Sequence, residues 1–343
     1  MSTSLRVGGR WCHVETAPHS PPVWSTTAQG GCGGASWTFH LPPTAMPIGV
    51  RKGAIVEIFE GAQRVYLGRI RSIDRDSWGV TASGLYDDLI GIPALASAGG
   101  NATMNLATAL AAARSAPFNW PGRNTRGEVG TVHGGTTDVL MVSRLAEMWA
   151  EQSGEHVGVD EWGEFYSTAP ATAPKWLIHP AANEVELSSG TDETYNLYLG
   201  RYRTSGGYAN AYSTPPVPEG ELASTGIVDL TQRGVLSALD ATAILTKLRD
   251  LTADRPTWTN EMTLTSSQIR TIGGQPAPLS MVRGGDRARV VGLSAAQQAE
   301  IGSPYLDVTL ASVTHPEDRD QIVVEPAGAL PLTLEAAMEA IAG

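Results

Sequence analysis

The feature that most constrains the fold is the stretch of residues 52–89, which is typical of three consecutive strands in one antiparallel sheet. It is rich in β-branched and aromatic side chains, and polar or glycine-containing turns interrupt it twice. The predicted strands are residues 54–60, 63–73 and 78–85. Because Ile55, Val56, Ile58 and Phe59 leave no clean polar face, we expect this sheet to be covered on both faces, as in a small closed barrel or a sheet packed against a neighbour.

Composition favours a β-rich protein of two or three compact units. The chain has 343 residues, of which 38 are glycine and 22 are proline, and only 17% are charged; this favours short strands and turns over long helices. The 35 acidic and 24 basic residues give a net charge of -11, which argues against a surface that grips nucleic-acid phosphates.

Nothing in the sequence predicts a secreted or membrane-inserted chain. The amino end lacks the apolar stretch of a signal peptide, and no run of about 18 apolar residues occurs. We therefore expect a soluble protein made in a cytoplasm. With Cys12 and Cys32 as the two cysteines, the chain is not a disulfide scaffold, although one bridge between them is compatible with the sequence.

Three motifs within residues 52–89 resemble the first barrel of the tail hub proteins of long-tailed bacteriophages, especially minor tail proteins of phages that infect actinobacteria. They read GAIVEIFEG at residues 53–61, RVYLGRI at 64–70 and WGVTASGL at 78–85. Residues 239–251 and 258–293 are similar to the helix and barrel segment that closes such hubs. The resemblance therefore spans most of the chain.

The resemblance implies a mainly β fold with an α/β insert, built on two small antiparallel β-barrels of the phage tail-hub type. Alanine- and leucine-rich residues 103–115 and the apolar spacing of residues 138–153 predict the two helices of the insert. The expected units are a first barrel at 1–95, an α/β insert at 96–172, a second barrel at 173–330 with a bridging helix at 238–252, and a C-terminal docking helix at 331–343.

Two glycine-rich stretches have the composition of long loops. Residues 21–36 predict a flexible loop, which either reaches for a partner or forms a solvated tip. Residues 204–224 combine tyrosine with glycine, serine and proline, a mixture that offers rigid aromatic contacts on an adaptable backbone. Tyr208 and Tyr212 are our candidate partner-contact residues; the alternative is an exposed hairpin tip.

A predicted turn at residues 282–287 follows a predicted strand at 279–282. In this turn, Gly284 and Gly285 would let the chain reverse with positive φ, and Asp286 would accept hydrogen bonds from turn amides.

The sequence predicts no catalytic, cofactor-binding or metal-ligating residue, and hence no enzyme. No G-x-S-x-G, P-loop, Rossmann glycine string or H-E-x-x-H occurs. A zinc site is disfavoured because its candidate ligands match no standard spacing; they are Cys12, His13, His19, Cys32 and His40. A calcium loop at residues 74–85 fails because Trp78 and Leu85 occupy ligand positions.

Two acidic groups remain as weaker enzymatic candidates. Glu161 and Glu164 lie beside Trp162 and Tyr166, as carboxylates of a sugar-cleaving site would, although aromatic residues on a strand are more often core. Residues 317–320 follow a proline between two predicted strands and read as a polar hairpin end.

The resemblance implies a structural virion protein at the phage tail tip, assembled in the host cytoplasm. Three copies would form a ring that joins the tail tube to distal tail-tip components. The expected partners are the distal tail protein, the tape measure protein and other tail-tip proteins, with DNA as passing cargo during ejection. The alternatives are another adaptor, such as a distal tail or peripheral baseplate protein, and a carbohydrate-binding β protein that uses Tyr208 and Tyr212. A cell-wall hydrolase is the enzymatic alternative.

Overall fold

The structure is a computed structural model, and its description covers most of the chain. It describes residues 3–42, 45, 47, 49–94, 103–133, 140–181, 185–188, 195–217, 220, 222–231, 234–252, 257–258, 260–318 and 320–327. The C-terminal helix predicted at 331–343 lies outside these residues. In the part of the chain that is described, no helix has the length and apolar character needed to cross a membrane.

The amino-terminal strands form one antiparallel ladder in the order β2-β1-β5-β6-β7-β4-β3. The strands are β1 Thr3–Val7, β2 Arg10–Trp11, β3 Val23–Thr27, β4 Gly30–Thr38, β5 Ile55–Glu60, β6 Gln63–Ile73 and β7 Gly79–Gly84. A π-helical turn at Cys12–Thr16 and a 3₁₀ helix at Leu85–Gly91 accompany them. The three strands predicted within residues 52–89 are confirmed as β5, β6 and β7. Their inward side chains, among them Val56, Ile58 and Tyr66, belong to one buried core.

The prediction of a flexible loop at residues 21–36 is wrong. This stretch forms β3 and most of β4, a pair that we call the glycine-rich hairpin, and it lies inside the sheet between β7 and a strand from the carboxyl-terminal part. Trp24 is fully buried. The glycine content led to the loop prediction, but these glycines allow neighbouring backbones to approach closely and do not make the segment a loop.

The α/β insert surrounds a second core. Its elements are β8 Thr103–Asn105, α1 Leu106–Arg114, β9 Thr125–Arg126, β10 Thr131–His133, α2 Val142–Ser153, β11 His156–Val159 and β12 Phe165–Thr168. Helix α1 begins after Asn105, whose side chain accepts a hydrogen bond from the Thr108 amide at 3.1 Å. Leu85 and Leu89 of the first unit pack into the same core, so the insert rests directly on the first sheet.

The carboxyl-terminal part contains two separate cores rather than one. Its elements are β13 Trp176–Ile178, β14 Leu187–Ser188, β15 Leu197–Thr204, β16 Gly207–Tyr212, β17 Thr225–Asp229, α3 Ala238–Thr252, β18 Thr257–Trp258, β19 Met262–Thr265, β20 Ile269–Thr271, a 3₁₀ turn Leu279–Met281, β21 Arg287–Val290, α4 Ala295–Ile301, β22 Leu306–His315 and β23 Gln321–Ala327. Helix α3 packs on a three-stranded sheet in the order β16-β15-β17 and shares one core with it. The remaining strands enclose the other core.

The prediction of a strand at residues 279–282 is wrong, because these residues form the 3₁₀ turn. Met281 donates its amide to the Pro278 carbonyl at 2.9 Å, and Val282 donates to Leu279 at 3.0 Å. The buried residues Leu279 and Val282 are three positions apart, which suits a 3₁₀ turn with three residues per turn rather than a strand that alternates.

The two closed barrels expected from the sequence are not confirmed. In the described residues, the amino-terminal ladder does not return to its own edge strand; instead β3 pairs antiparallel with β22. We call this pairing the seam. A 16-stranded network results, in which the path continues through β22, β21 and β13 to β20. The fold is therefore mainly β, with the amino-terminal ladder and the carboxyl-terminal strands joined in one sheet.

Candidate functional site

The seam is closed by two buried aromatic rings. Trp24 of β3 and His315 of β22 are partners in register, and their rings stack with centroids 4.6 Å apart. Both side chains are almost fully buried. Stacked aromatic burial of this kind holds the first and last strand groups as one frame.

Glycines in β4 and β7 allow neighbouring strands to approach each other at close range. Gly31 has φ +82°, and a Cβ added there would lie 2.2 Å from the carbonyl oxygen of Val159. This contact belongs to the parallel pairing of β4 with β11. Gly84 approaches in the same way, because its Cβ would lie 1.7 Å from the Cys32 carbonyl oxygen. Side chains larger than hydrogen would force these backbones apart.

The turn predicted at residues 282–287 docks on the same hairpin. Gly284 donates its amide to the Thr26 hydroxyl at 3.0 Å. Gly285 has the expected positive φ, +88°, whereas Gly284 serves close approach, since its Cβ would lie 2.5 Å from the carbonyl carbon of Thr27. The prediction for Asp286 is confirmed, because its Oδ2 accepts the Arg283 amide at 3.1 Å.

Asp286 also ties this turn to β13. Its carboxylate accepts a hydrogen bond from Trp176 Nε1 at 2.7 Å and pairs with Lys175 Nζ at 3.1 Å. One carboxylate thus links a turn to a neighbouring strand. Asp286 therefore has a structural role.

A cavity of about 270 Å³ lies where the first sheet, the insert and the 283–286 turn meet. Cys32 and His156 contribute to its lining. Burial raises the pKa of the Cys32 thiol to about 12, and burial lowers the pKa of His156. Cys32 therefore remains a thiol at neutral pH, and a thiol is a poor nucleophile compared with its thiolate.

The candidate contact residues Tyr208 and Tyr212 lie on strand β16, not on a loop as predicted. They are 63% and 56% exposed and point away from α3, on the face opposite the buried Tyr198. The Arg201 guanidinium lies over the Tyr208 ring, 4.7 Å from its centroid. We call β15 and β16 the tyrosine hairpin, whose tip is at Ser205 and Gly206.

An apolar row continues from Tyr212 across this sheet. Tyr212 pairs with Leu199, which pairs in turn with Ile227 of β17. Ile227 is 75% exposed. The outward face of the tyrosine hairpin therefore combines apolar side chains with an aromatic ring held by an arginine, which suits contact with another protein.

A second cavity, of about 960 Å³, lies between the first sheet and the insert. Apolar residues form much of its wall, and we call it the arginine cavity because it is also lined by Arg51, Arg64 and Arg123. The Arg64 guanidinium donates to Glu57 at 2.6 Å, and Arg6 pairs with the same carboxylate at 3.2 Å. Arginines thus outnumber the single glutamate in its lining.

Arg64 is held rigidly although it carries a charge. The residue is 8% exposed, and its guanidinium lies over the Trp162 ring, 5.2 Å from the centroid. Its Nε–H has no acceptor among the described residues. No pattern in the sequence predicts this site, because Arg64 and Trp162 come from different units.

The other candidates from the sequence do not assemble into chemical sites. No group of three or more His, Cys, Asp or Glu side chains suited to a metal ion occurs among the described residues. Cys12 and Cys32 are buried thiols rather than a disulfide. Asp74 is part of an exposed turn, in which a hydrogen bond from Ser77 lowers the pKa of its carboxyl.

Glu161 and Glu164, which flank Trp162, lie on one turn that Asp160 holds. The Glu164 amide donates to Asp160 Oδ1 at 3.0 Å, and the Arg64 guanidinium lies over the Trp162 ring. Residues 317 and 318 are exposed and follow the end of β22, as expected for a polar hairpin end. The Asp320 amide donates to Asp318 Oδ1 at 3.1 Å.

Comparison with known proteins gives the fold. No protein-family model matches the sequence, and a search of curated proteins finds no match. Solved structures do match. The 43 kDa tail protein of prophage MuSo2 from Shewanella oneidensis has a TM-score of 0.59 and 15% identity, with 96% of this chain and 99% of that chain covered.

Two further solved structures agree. A tail protein from Neisseria meningitidis MC58 has a TM-score of 0.61 at 15% identity, over 96% of this chain and 97% of that one. The prophage tail protein gp18 from Listeria monocytogenes EGD-e has a TM-score of 0.57 at 10% identity, over 99% of each chain. The chain therefore has the fold of phage tail proteins.

Proposed function

We propose that this chain, which shares its fold with phage tail proteins over almost its whole length, is a structural subunit of the tail-tip or baseplate hub of a long-tailed phage. The motifs at residues 53–61, 64–70 and 78–85 favour the hub among tail proteins, and a host among the actinobacteria. The seam is the observation that carries the proposal. It fixes two β units side by side in one frame, as a ring built from paired modules requires.

In this proposal three copies form a closed ring. Each copy contributes its two β units, so that three subunits present six similar modules to the six-fold tail tube. A closed ring needs a head-to-tail contact between unlike surfaces of neighbouring copies. Each contact should bury on the order of 1,000 Å² or more to persist at virion dilution.

The ring would join the tail tube to distal tail-tip proteins and surround the passage for the tape measure protein and then DNA. The net charge of -11 supports this role, because an acidic wall does not bind a polyanion. We expect acidic side chains to line the passage. A basic lumen in the assembled ring would contradict this use of the charge.

We also propose the division of the chain into units at residues 1–95, 96–172 and 173–330. The separate cores of the first sheet and the insert support the first boundary. Within the last unit, the tyrosine hairpin and α3 form a subdomain with its own core. Their exposed outer face, with Tyr208 and Tyr212, is the surface that we propose for contact with another tail protein.

The copy number tests this function directly. Sedimentation of the purified chain should show a trimer, and quantitative mass spectrometry of purified particles should show three copies per tail. Six copies would indicate a distal-ring adaptor instead. A monomeric chain that is absent from particles would overturn the proposal.

A further inference from the structure

The arginine cavity is a positively charged site in a strongly acidic protein. Arg51 and Arg123 are exposed at the cavity and have no carboxylate partner among the described residues. Glu57, the single acidic residue of the lining, is already shared by Arg6 and Arg64. An incoming carboxylate would therefore meet net positive charge. Arginine also suits such a ligand because its planar fork binds carboxylates through paired hydrogen bonds.

The cavity is also preformed. Arg64 is nine-tenths buried and is fixed between Glu57 and the Trp162 ring. A ligand would not have to order this side chain on binding, which lowers the entropic cost of the contact. Apolar wall residues such as Val50, Ile55 and Leu67 lower the local polarity around the buried Arg64 charge, which strengthens its attraction to a carboxylate.

An acidic turn of the same chain has the complementary character. Glu317, Asp318 and Asp320 lie between β22 and β23, and all three are exposed; we call these three residues the acidic turn. Arg319 of the same stretch lies outside the described residues, and with its positive charge residues 317–320 carry a net charge of -2. The Asp320 amide donates a hydrogen bond to Asp318 Oδ1 at 3.1 Å. The stretch therefore presents three exposed carboxylates that are close together in the sequence.

The acidic turn cannot fill the arginine cavity of its own copy. Ile55 and Glu57, on one face of β5, line the arginine cavity, whereas Glu60, on the opposite face of the strand, lines a small cavity together with Gln321, which follows the acidic turn. The sheet therefore lies between the two places within one copy. A second copy is needed to bring the two surfaces together.

We propose that the acidic turn of one copy binds in the arginine cavity of the next copy. This inference rests on the proposed ring, and it supplies the unlike, complementary surfaces that a head-to-tail contact needs. Arg51 and Arg123 meet the carboxylates at the mouth of the cavity, and Arg64 is the fixed positive charge at its floor. The contact is electrostatic, so added salt weakens it.

A charge-swap experiment tests the contact. One variant carries Arg51→Glu and Arg123→Glu, a second carries Glu317→Lys and Asp318→Lys, and a third combines all four changes. The control carries Arg75→Glu and Asp76→Lys, which reverse two exposed charges in a turn outside the cavity. Self-association is measured by sedimentation velocity over a range of concentrations at low salt, and circular dichroism checks that each variant is folded.

We expect each one-sided variant to self-associate roughly 10–100-fold more weakly than the wild-type chain, and the combined variant to recover most of the loss. The control variant should match the wild-type chain. If the wild-type chain associates and the one-sided variants associate equally well, the contact is wrong while the ring survives. Failure of the combined variant to recover would also overturn the contact. A wild-type chain that stays monomeric and is absent from particles would overturn both the contact and the ring.

Discussion

The glycine-rich hairpin and the tyrosine hairpin have similar compositions and opposite environments. The glycine-rich hairpin and strand β16 of the tyrosine hairpin come from stretches whose glycine, serine and proline content predicts a loop, and both stretches form paired strands. In the first, Trp24 is fully buried between sheets; in the second, Tyr208 is mostly exposed. A Cβ added to Gly31 would collide with Val159, whereas one added to Gly206 would meet nothing within 4 Å.

The difference shows that composition identifies where a chain can bend but not what lies beside it. Gly206 lies in the turn between two strands, whereas Gly31 lies within a strand where two backbones approach closely. The deciding information is the identity of the tertiary neighbour, which for Gly31 is a strand of the insert. The glycine-rich hairpin is therefore the place where the units are held together, and the outer face of the tyrosine hairpin is exposed.

The largest effect should come from the aromatic residue of the glycine-rich hairpin. Trp24→Ala removes a fully buried ring from the seam, and we expect the free energy of unfolding to fall by about 3–5 kcal/mol. Tyr208→Ala, the matched change in the tyrosine hairpin, should lower it by less than about 0.5 kcal/mol. Urea unfolding of both variants measures the difference. Similar losses in the two would remove the distinction between the hairpins.

A pair of glycine substitutions sharpens the same comparison. Gly31→Ala places a Cβ against the Val159 carbonyl at a positive φ, and we expect a loss of about 2–4 kcal/mol in the free energy of unfolding. Gly206→Ala has open space and no positive φ, so its effect should stay within about 0.5 kcal/mol. Thermal unfolding of the two variants measures both changes in the free energy of unfolding. A tolerated Gly31→Ala would mean that β4 and β11 do not lie in close contact.

The thiol of the glycine-rich hairpin should be protected from alkylation. Burial raises the pKa of Cys32 to about 12 from its usual value of 9.0, so the folded chain holds almost no thiolate at pH 8. In a Cys12→Ala background, Ser205→Cys places a second thiol at the exposed tip of the tyrosine hairpin. We expect iodoacetamide to modify the tip at least about 100-fold faster than Cys32, as measured by peptide mass spectrometry. Equal rates would contradict the buried position of the hairpin.

The same pKa predicts a pH dependence of stability. The unfolded chain loses the Cys32 proton near pH 9, whereas the folded chain retains it until about pH 12. The contribution of this thiol is therefore fully present below pH 9 and is lost as the pH rises from 9 to 12. Cys32→Ala should flatten the unfolding free energy over this window. An unchanged slope would show that Cys32 ionises in the folded chain.

A small effect on stability, but a large one on assembly, should come from the tyrosine pair. Tyr208→Ser together with Tyr212→Ser changes exposed side chains only, so the free energy of unfolding should change by less than about 1 kcal/mol. If this face contacts another tail protein, the variant should be incorporated poorly into particles, as measured by immunoblotting of purified virions. Normal incorporation of the variant would show that Tyr208 and Tyr212 are not needed for contact with another tail protein.

Local pattern was enough to predict β5, β6 and β7. Their β-branched and aromatic residues alternate along short runs, and turns at Gly61 and residues 74–77 separate them, so each strand is specified by its own sequence. The turn around Asp286 was predictable for the same reason. Helices α1 and α2 were also found, although each begins later than predicted.

Contacts between distant parts of the chain could not be predicted in this way. The seam joins Trp24 to His315, and the arginine cavity places Trp162 over Arg64; in neither case does one segment carry a signal for the other. The glycine-rich hairpin was wrongly predicted as a loop because glycine is typical both of a close approach of two backbones and of a flexible loop. The resemblance to tail hubs indicated the general fold, but not that the first ladder continues into the last strands.

Electron cryo-microscopy of tail tips from particles that contain this protein tests the central claim most directly. We predict three copies in a closed ring, each with its two β units joined through the seam, around a passage lined by acidic side chains. A map that shows a single copy, a ring of six copies, or no density for this chain at the tail tip would contradict the account.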